Sequence, residues 1–172
     1  MSKQISMTPI VANIRQKLDK EIASLVKRPG IDKKFLPSRK ELTYSAFLSN
    51  KMLMIQVIQE GVPYSFFDLI FHYSPFSEND WANILELSTK SLQRYKQAAK
   101  NFKPIQSEKI IEMAEVTNIG VDVFGSMEKF KRWLDTPNFA LGNLKPIDLL
   151  KDSYGKEMVI SELTRINYGV LA

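Results

Sequence analysis

Cysteine is absent from this chain of 172 residues, and histidine occurs once, as His72. Disulfides, thiolate metal sites and cysteine nucleophiles are thereby removed together, and one imidazole leaves little for zinc catalysis. No Gly-rich phosphate loop, paired-carboxylate constellation or nucleophile motif stands in the sequence, so it reads as a protein without enzymatic activity or a metal site. His72 lies in a bulky apolar segment and reads as a core or rim residue rather than a base. No apolar run is long enough to cross a bilayer, and the N-terminus lacks the apolar core and small-residue cleavage site of a signal peptide, which predicts a cytoplasmic protein. What is present is a folding composition: 44% of residues are hydrophobic, enough to fill a core.

The second scarcity is local. Between Glu86 and Glu108 there is no carboxylate, although Lys90, Arg94, Lys96, Lys100 and Lys103 all fall in that window. The net charge of +5 is modest, and residues 61–125 hold 6 basic against 8 acidic side chains. The acids of this segment are therefore placed outside the window. Most of the basic excess lies in residues 1–60, with 11 basic and 5 acidic side chains.

Hydrophobic spacing predicts an all-α protein. Ile10, Ile14, Leu18, Ile22 and Leu25 recur at helical intervals among Arg15, Lys17, Lys20 and Lys27, giving an amphipathic helix over 10–27 that Pro29-Gly30 ends. Three uses of that helix are open: docking on the domain or pairing in a dimer, a basic arm on DNA phosphates, or a membrane-surface helix. Residues 28–41 read as a linker or loosely attached arm. The apolar cluster in 50–60 is ambiguous between helix and strand. A helix from Pro63 to about Tyr73 carries Phe66, Phe67, Ile70 and Phe71 as a bulky stripe. Ser77 and Asp80 form the pattern of a capping box, and Ser88 caps the next helix, which runs to about Lys100. Further helices are predicted from Ser107, over Ser126–Leu134, and twice more near the C-terminus, the last over 156–168.

Two short helices joined by a tight turn must bury the same few positions to pack at a steep angle. Trp81, Leu85, Leu87, Leu92 and Tyr95 stand there, with small Ala82 at the close approach. This is the pattern of a helix-turn-helix. The opposite face of its second helix carries Thr89, Lys90, Gln93, Arg94 and Gln97, which are candidates to read bases, while Lys96, Lys100 and Lys103 are candidates to hold phosphates. A carboxylate in this window would be repelled by the DNA backbone. Glu86 occupies the turn position that often holds glycine, predicting a wider or strained turn.

The C-terminal third holds Phe124-Gly125, Trp133-Leu134, Pro137-Asn138, Leu141-Gly142, Pro146, Asp148-Leu149-Leu150, Arg165-Ile166 and Gly169-Val170, in that order. Thr136-Pro137-Asn138 stops a helix, Gly142-Asn143 allows a left-handed turn, and Pro146 presets the next helix, so the segment reads as a rigid apolar corner packed by Trp133, Leu141, Leu149 and Leu150. The final Tyr168-Gly169-Val170-Leu171-Ala172 is an apolar tail too short to build anything alone and suits a partner surface. This ordered set resembles the toxin-binding domain of the Xre/MbcA/ParS antitoxins, and LSTKSLQRYK with QSEKII resembles the Xre-like helix-turn-helix that precedes it. Asn143, where a second glycine is common, departs from the pattern.

The resemblance covers roughly residues 50–172. It implies a DNA-binding domain (50–125) and a toxin-binding domain (126–172), and it does not explain the basic N-terminal helix and linker (1–49) that precede them. It further implies an antitoxin of a type II toxin–antitoxin operon, partnered with a RES-domain toxin that degrades NAD, blocking that toxin sterically and repressing the operon. No cofactor is implied, and the expected partners are the toxin, operator DNA and a second copy of the chain in a bacterial cytoplasm. The toxin-binding residues so implied are Trp133, Pro137, Asn138, Leu141, Gly142, Arg165, Tyr168, Gly169, Val170, Leu171 and Ala172. The alternative is a stand-alone helix-turn-helix regulator whose C-terminal domain senses a ligand or dimerises.

Overall fold

The structure, a computed structural model, describes residues 9–37 and 42–169, with the backbone alone for 9–11. Ten α-helices follow one another among these residues: α1 (Pro9–Leu25), α2 (Tyr44–Leu48), α3 (Lys51–Glu60), α4 (Tyr64–Tyr73), α5 (Glu78–Ile84), α6 (Thr89–Ala98), α7 (Pro104–Phe124), α8 (Met127–Leu134), α9 (Pro146–Leu149) and α10 (Ser153–Asn167). The protein is all-α. The ambiguous apolar cluster becomes helix α3, started by the Asn50 side chain, which accepts from the Leu53 N–H.

The 21-residue α7 is the central post. On one side it packs against α3, α2 and α4, and on the other against α8 and α10. It starts at Pro104, not at Ser107, because proline is favoured in a first turn where its missing N–H costs nothing. Ser107 is instead a buried cross-link, its hydroxyl accepting from the Val62 N–H at 2.9 Å and donating to the Phe102 carbonyl at 3.3 Å.

Among the three uses left open for the first helix, docking is what occurs. Leu18 and Ile22 are fully buried, and α1 packs along α4. The membrane-surface alternative fails because the apolar stripe is already covered. A polar clamp fixes the register: Arg15 Nη2 donates to Ser45 Oγ and Asn118 Oδ1, both at 3.2 Å, and its guanidinium lies over the Tyr73 ring. The linker reading of 28–41 also needs correction over its described part. Ile31 is buried, the Asp32 N–H donates to Gln56 Oε1 at 2.8 Å, and Asn50 Nδ2 donates to the Phe35 carbonyl at 2.8 Å, so residues 28–37 are strapped to α3. Residues 38–41 lie outside the described residues. The short α2, capped by Thr43, has no counterpart in the sequence reading.

Candidate functional site

Two surfaces carry the residues of interest. The first is the α5–α6 unit. Ser77 and Asp80 form the expected capping box, with reciprocal bonds of 3.1 and 2.8 Å, and Ser88 Oγ accepts from the Ser91 N–H. The turn between the helices closes as a Schellman motif: the Leu87 N–H reaches the Ala82 carbonyl at 2.9 Å and the Glu86 N–H reaches that of Asn83 at 3.2 Å. Glu86 takes the left-handed position, with φ 54°, so the turn is tight and strained, not widened.

An aromatic spine holds α6 in place. Tyr95 stacks on Phe102 with ring centroids 4.4 Å apart, Phe102 meets Phe67 at 5.0 Å, and Phe67 meets Trp81 at 5.1 Å. Such pairs contribute about 0.5–1.5 kcal/mol each beyond burial. Trp81 Nε1 donates to Ser74 Oγ, so the buried indole is satisfied. With Leu92 buried and Tyr95 half-buried against this spine, Thr89, Lys90, Gln93, Arg94, Lys96, Gln97 and Lys100 are all exposed, as is Lys103. Among the described residues none of the five cations of the window pairs with a carboxylate. Gln93 and Lys96 border a cleft of about 280 Å³ that also holds Asp68, His72 and Glu78, so Lys96 has two carboxylates near it. In the same cleft burial pushes the Tyr64 hydroxyl up to about 12. His72 is a rim residue whose ring bonds the Asp68 carbonyl of its own helix.

The second surface is the C-terminal corner. Asn138 ties a loop into a closed unit: its N–H donates to the Leu144 carbonyl at 3.0 Å, its carbonyl accepts from the Asn143 N–H at 2.9 Å, and its side chain accepts from the Ala140 N–H at 2.8 Å. Gly142 and Asn143 are both left-handed, with φ 71° and 61°; asparagine tolerates that region, which is why it serves where a second glycine is common. Phe130 is fully buried against α7 at Gly120, where a Cβ would collide with its ring. Trp133 is half-buried beside it, against Phe130 and Phe124. Helix α10 begins at Ser153, three residues before the sequence reading places it, because Asp152 caps it by accepting from the Gly155 N–H at 2.8 Å. Gly155 lets α10 lie directly on the Leu149 carbonyl. Lys156 and Glu112 pair at 2.6 Å and, both mostly buried, tie α10 to α7.

Along the outside of α10, Tyr154, Met158, Ser161 and Arg165 recur at i, i+4, i+7 and i+11. With Ala140, Leu141, Glu157 and Glu162 they line an open groove of about 440 Å³. The apolar exposure here is large: Phe139 is 84% exposed and Tyr154 82%, with Leu144 and Met158 near half.

The residues expected to bind toxin are thus spread over different settings. Leu141 is buried at the groove floor and Arg165 lines its wall while pairing with Glu162 at 3.1 Å. Pro137 and Gly142 are exposed on the loop, and Asn138 is its half-buried tie. Trp133 belongs to the aromatic stack. Tyr168 and Gly169 stand exposed at the end of α10; Val170, Leu171 and Ala172 lie outside the described residues. Phe139, Tyr154 and Met158 escape the sequence reading. The signal that points to Tyr154 and Met158 is their position on the face of α10 opposite the buried Gly155, Val159 and Leu163. Among the described residues no group of three His, Asp or Glu could hold a metal ion, and no helix is long and apolar enough to cross a membrane.

An exposed basic helix on an aromatic spine, followed on the same post by a capped loop and an apolar groove, defines a two-module helix-turn-helix protein. The comparisons agree module by module. Residues 53–115 match the antitoxin Xre-like helix-turn-helix domain, and residues 120–169 match the antitoxin Xre/MbcA/ParS C-terminal toxin-binding domain. Two relatives named Antitoxin Xre are similar. That of Photorhabdus laumondii subsp. laumondii is 26% identical over 117 residues, covering 67% of this chain and 79% of the relative. That of Yersinia enterocolitica is 26% identical over 125 residues, covering 72% and 84%. The chain belongs to the Xre/MbcA/ParS family of toxin–antitoxin antitoxins.

Proposed function

We propose that this protein silences a RES-domain, NAD-degrading toxin by covering its NAD cleft, and that it represses its own operon by laying α6 in the major groove of operator DNA. The observation that carries the first half is the apolar groove along α10. An unbound chain gains nothing from leaving Phe139 and Tyr154 more than four-fifths exposed beside Met158, whereas a partner's surface gains the full burial of these side chains. Inhibition of this kind is steric. No residue here performs chemistry, no cofactor is needed, Arg165 adds a cation on the groove wall, and Tyr168 and the tail from Gly169 to Ala172 extend the contact beyond the groove. The second half rests on the acid-free face of α6: Thr89, Lys90, Gln93, Arg94 and Gln97 for base edges, with Lys96, Lys100 and Lys103 for the backbone. The working unit is a homodimer within a toxin–antitoxin complex in the bacterial cytoplasm.

The test is co-expression with the neighbouring reading frame followed by affinity capture. Wild type retains the toxin; a Tyr154→Asp, Met158→Asp variant, folded by its thermal transition, loses it. Undiminished capture by that variant refutes the groove as the binding surface.

A further inference from the structure

We infer that the outer face of α1 is a second phosphate-contacting surface for the duplex that α6 binds, an inference that rests on the DNA-binding reading above. Lys17 and Lys20 on α1, and Lys27 in the turn that ends it, are exposed on the side away from the buried Leu18, Ile22 and Leu25. The carboxylates of α1 are turned to other tasks: Asp19 accepts the Tyr44 N–H at 2.7 Å, and Glu21 accepts the Ser65 hydroxyl at 2.6 Å.

The end of α1 adjoins the loop that follows the recognition helix. Arg28 Nη1 donates to the Gly61 carbonyl at 3.4 Å, Asn101 Nδ2 donates to the Glu60 carbonyl at 3.5 Å, and the Phe102 N–H donates to the Val62 carbonyl at 2.8 Å. Residues 60–62 are thus held between Arg28 on one side and residues 101–102 on the other. Lys27 precedes Arg28 on the first side and Lys100 and Lys103 border residues 101–102 on the second, so the end of α1 meets the loop that follows the recognition helix. Gly61 makes the seam possible: its φ is 87°, and a Cβ there would collide with the Phe102 carbonyl. One carboxylate, Glu60, lies in the seam, folded over Gly30. The apolar stripe of α1 is buried, so its outer face offers charge without apolar area, which suits a phosphate backbone better than a protein core or a bilayer.

The experiment is a salt titration of binding to a random-sequence 30-bp duplex, using the full chain and a Lys17→Gln, Lys20→Gln, Lys27→Gln variant checked by its thermal transition. Each lost phosphate contact flattens the slope of log K against log salt by about 0.9. The expected variant slope is shallower by about 0.9 to 2.7. A change smaller than one contact overturns the inference, as does a variant that alters the salt dependence of toxin capture instead, which would assign the face to the protein partner. Lys100→Gln, Lys103→Gln keeps the two readings apart. If that pair changes the slope and the triple variant does not, only the α1 surface fails; if wild type binds no duplex at all, the DNA-binding reading fails with it.

Discussion

Glu86→Gly should stabilise this protein. Glu86 is the residue after the α5 cap, held at φ 54° by two hydrogen bonds that close the turn, and it is exposed, so its side chain gains little by being there. A left-handed conformation costs an L-residue about 1–2 kcal/mol. Glycine removes that cost but gives back roughly 0.5–1 kcal/mol through the greater freedom of its unfolded chain. The net gain is about 0.5–1 kcal/mol, and for a chain of this size each kcal/mol moves the midpoint by about 2–4 °C. Thermal unfolding followed by circular dichroism, with Glu86→Ala as the control, isolates the backbone term. Both variants remove the same charge, but alanine keeps the strain. The midpoint order should be glycine above alanine. Equal midpoints, or alanine above glycine, would show that the turn carries no strain worth relieving.

Removing the cations proposed to read bases, in an Arg94→Ala, Lys90→Ala variant, should weaken specific operator binding, with Arg94→Ala alone costing about 1–3 kcal/mol and relaxing preference at one base pair; a competition assay with mutated operators reads this. Leu18→Ala should destabilise the whole chain by about 2–5 kcal/mol, since Leu18 is fully buried on α1, which packs along α4; a loss below 1 kcal/mol in denaturant melts would mean that α1 is detachable. Glu115→Gln should stabilise the protein at neutral pH and not below the ordinary glutamate value of 4.5. Burial raises the Glu115 carboxyl, against the attraction of Lys156 and Lys51 and with added repulsion from Glu112. The folded chain therefore keeps this proton to higher pH than the unfolded one. Its contribution to stability is complete below the unfolded value and lost as pH rises through the folded one, and melts at pH 4 and pH 7 measure it. Deleting residues 169–172 should leave the melting midpoint within a degree or two while weakening toxin capture, because exposed chain ends add little to a monomer.

Where a local rule decides the structure, it was legible in the sequence. Ser77 with Asp80, Ser88 and Gly142-Asn143 act within four residues of themselves, and each does what its side chain or backbone preference dictates. The inward set Trp81, Leu85 and Leu92 follows from helical spacing alone. What was illegible depends on distant partners. Ser107 reads as the start of a helix and is a cross-link because Val62 and Phe102 meet it. Residues 28–37 look like a linker and are held by Asn50, Gln56 and Gly61, none of which announces that role. Tyr154 is the instructive case: an aromatic side chain suggests core, and the positions of Asp152 and Gly155, which set the start and depth of α10, leave it outside.

The proposed protection of a cell's NAD is measured most directly as intracellular NAD after induction of the neighbouring toxin gene. With the toxin alone NAD should collapse; with wild-type antitoxin it should stay near the uninduced level; with the Tyr154→Asp, Met158→Asp variant it should collapse again. NAD that stays level when the toxin is expressed alone contradicts the proposed inhibition, and so does full protection by the groove variant.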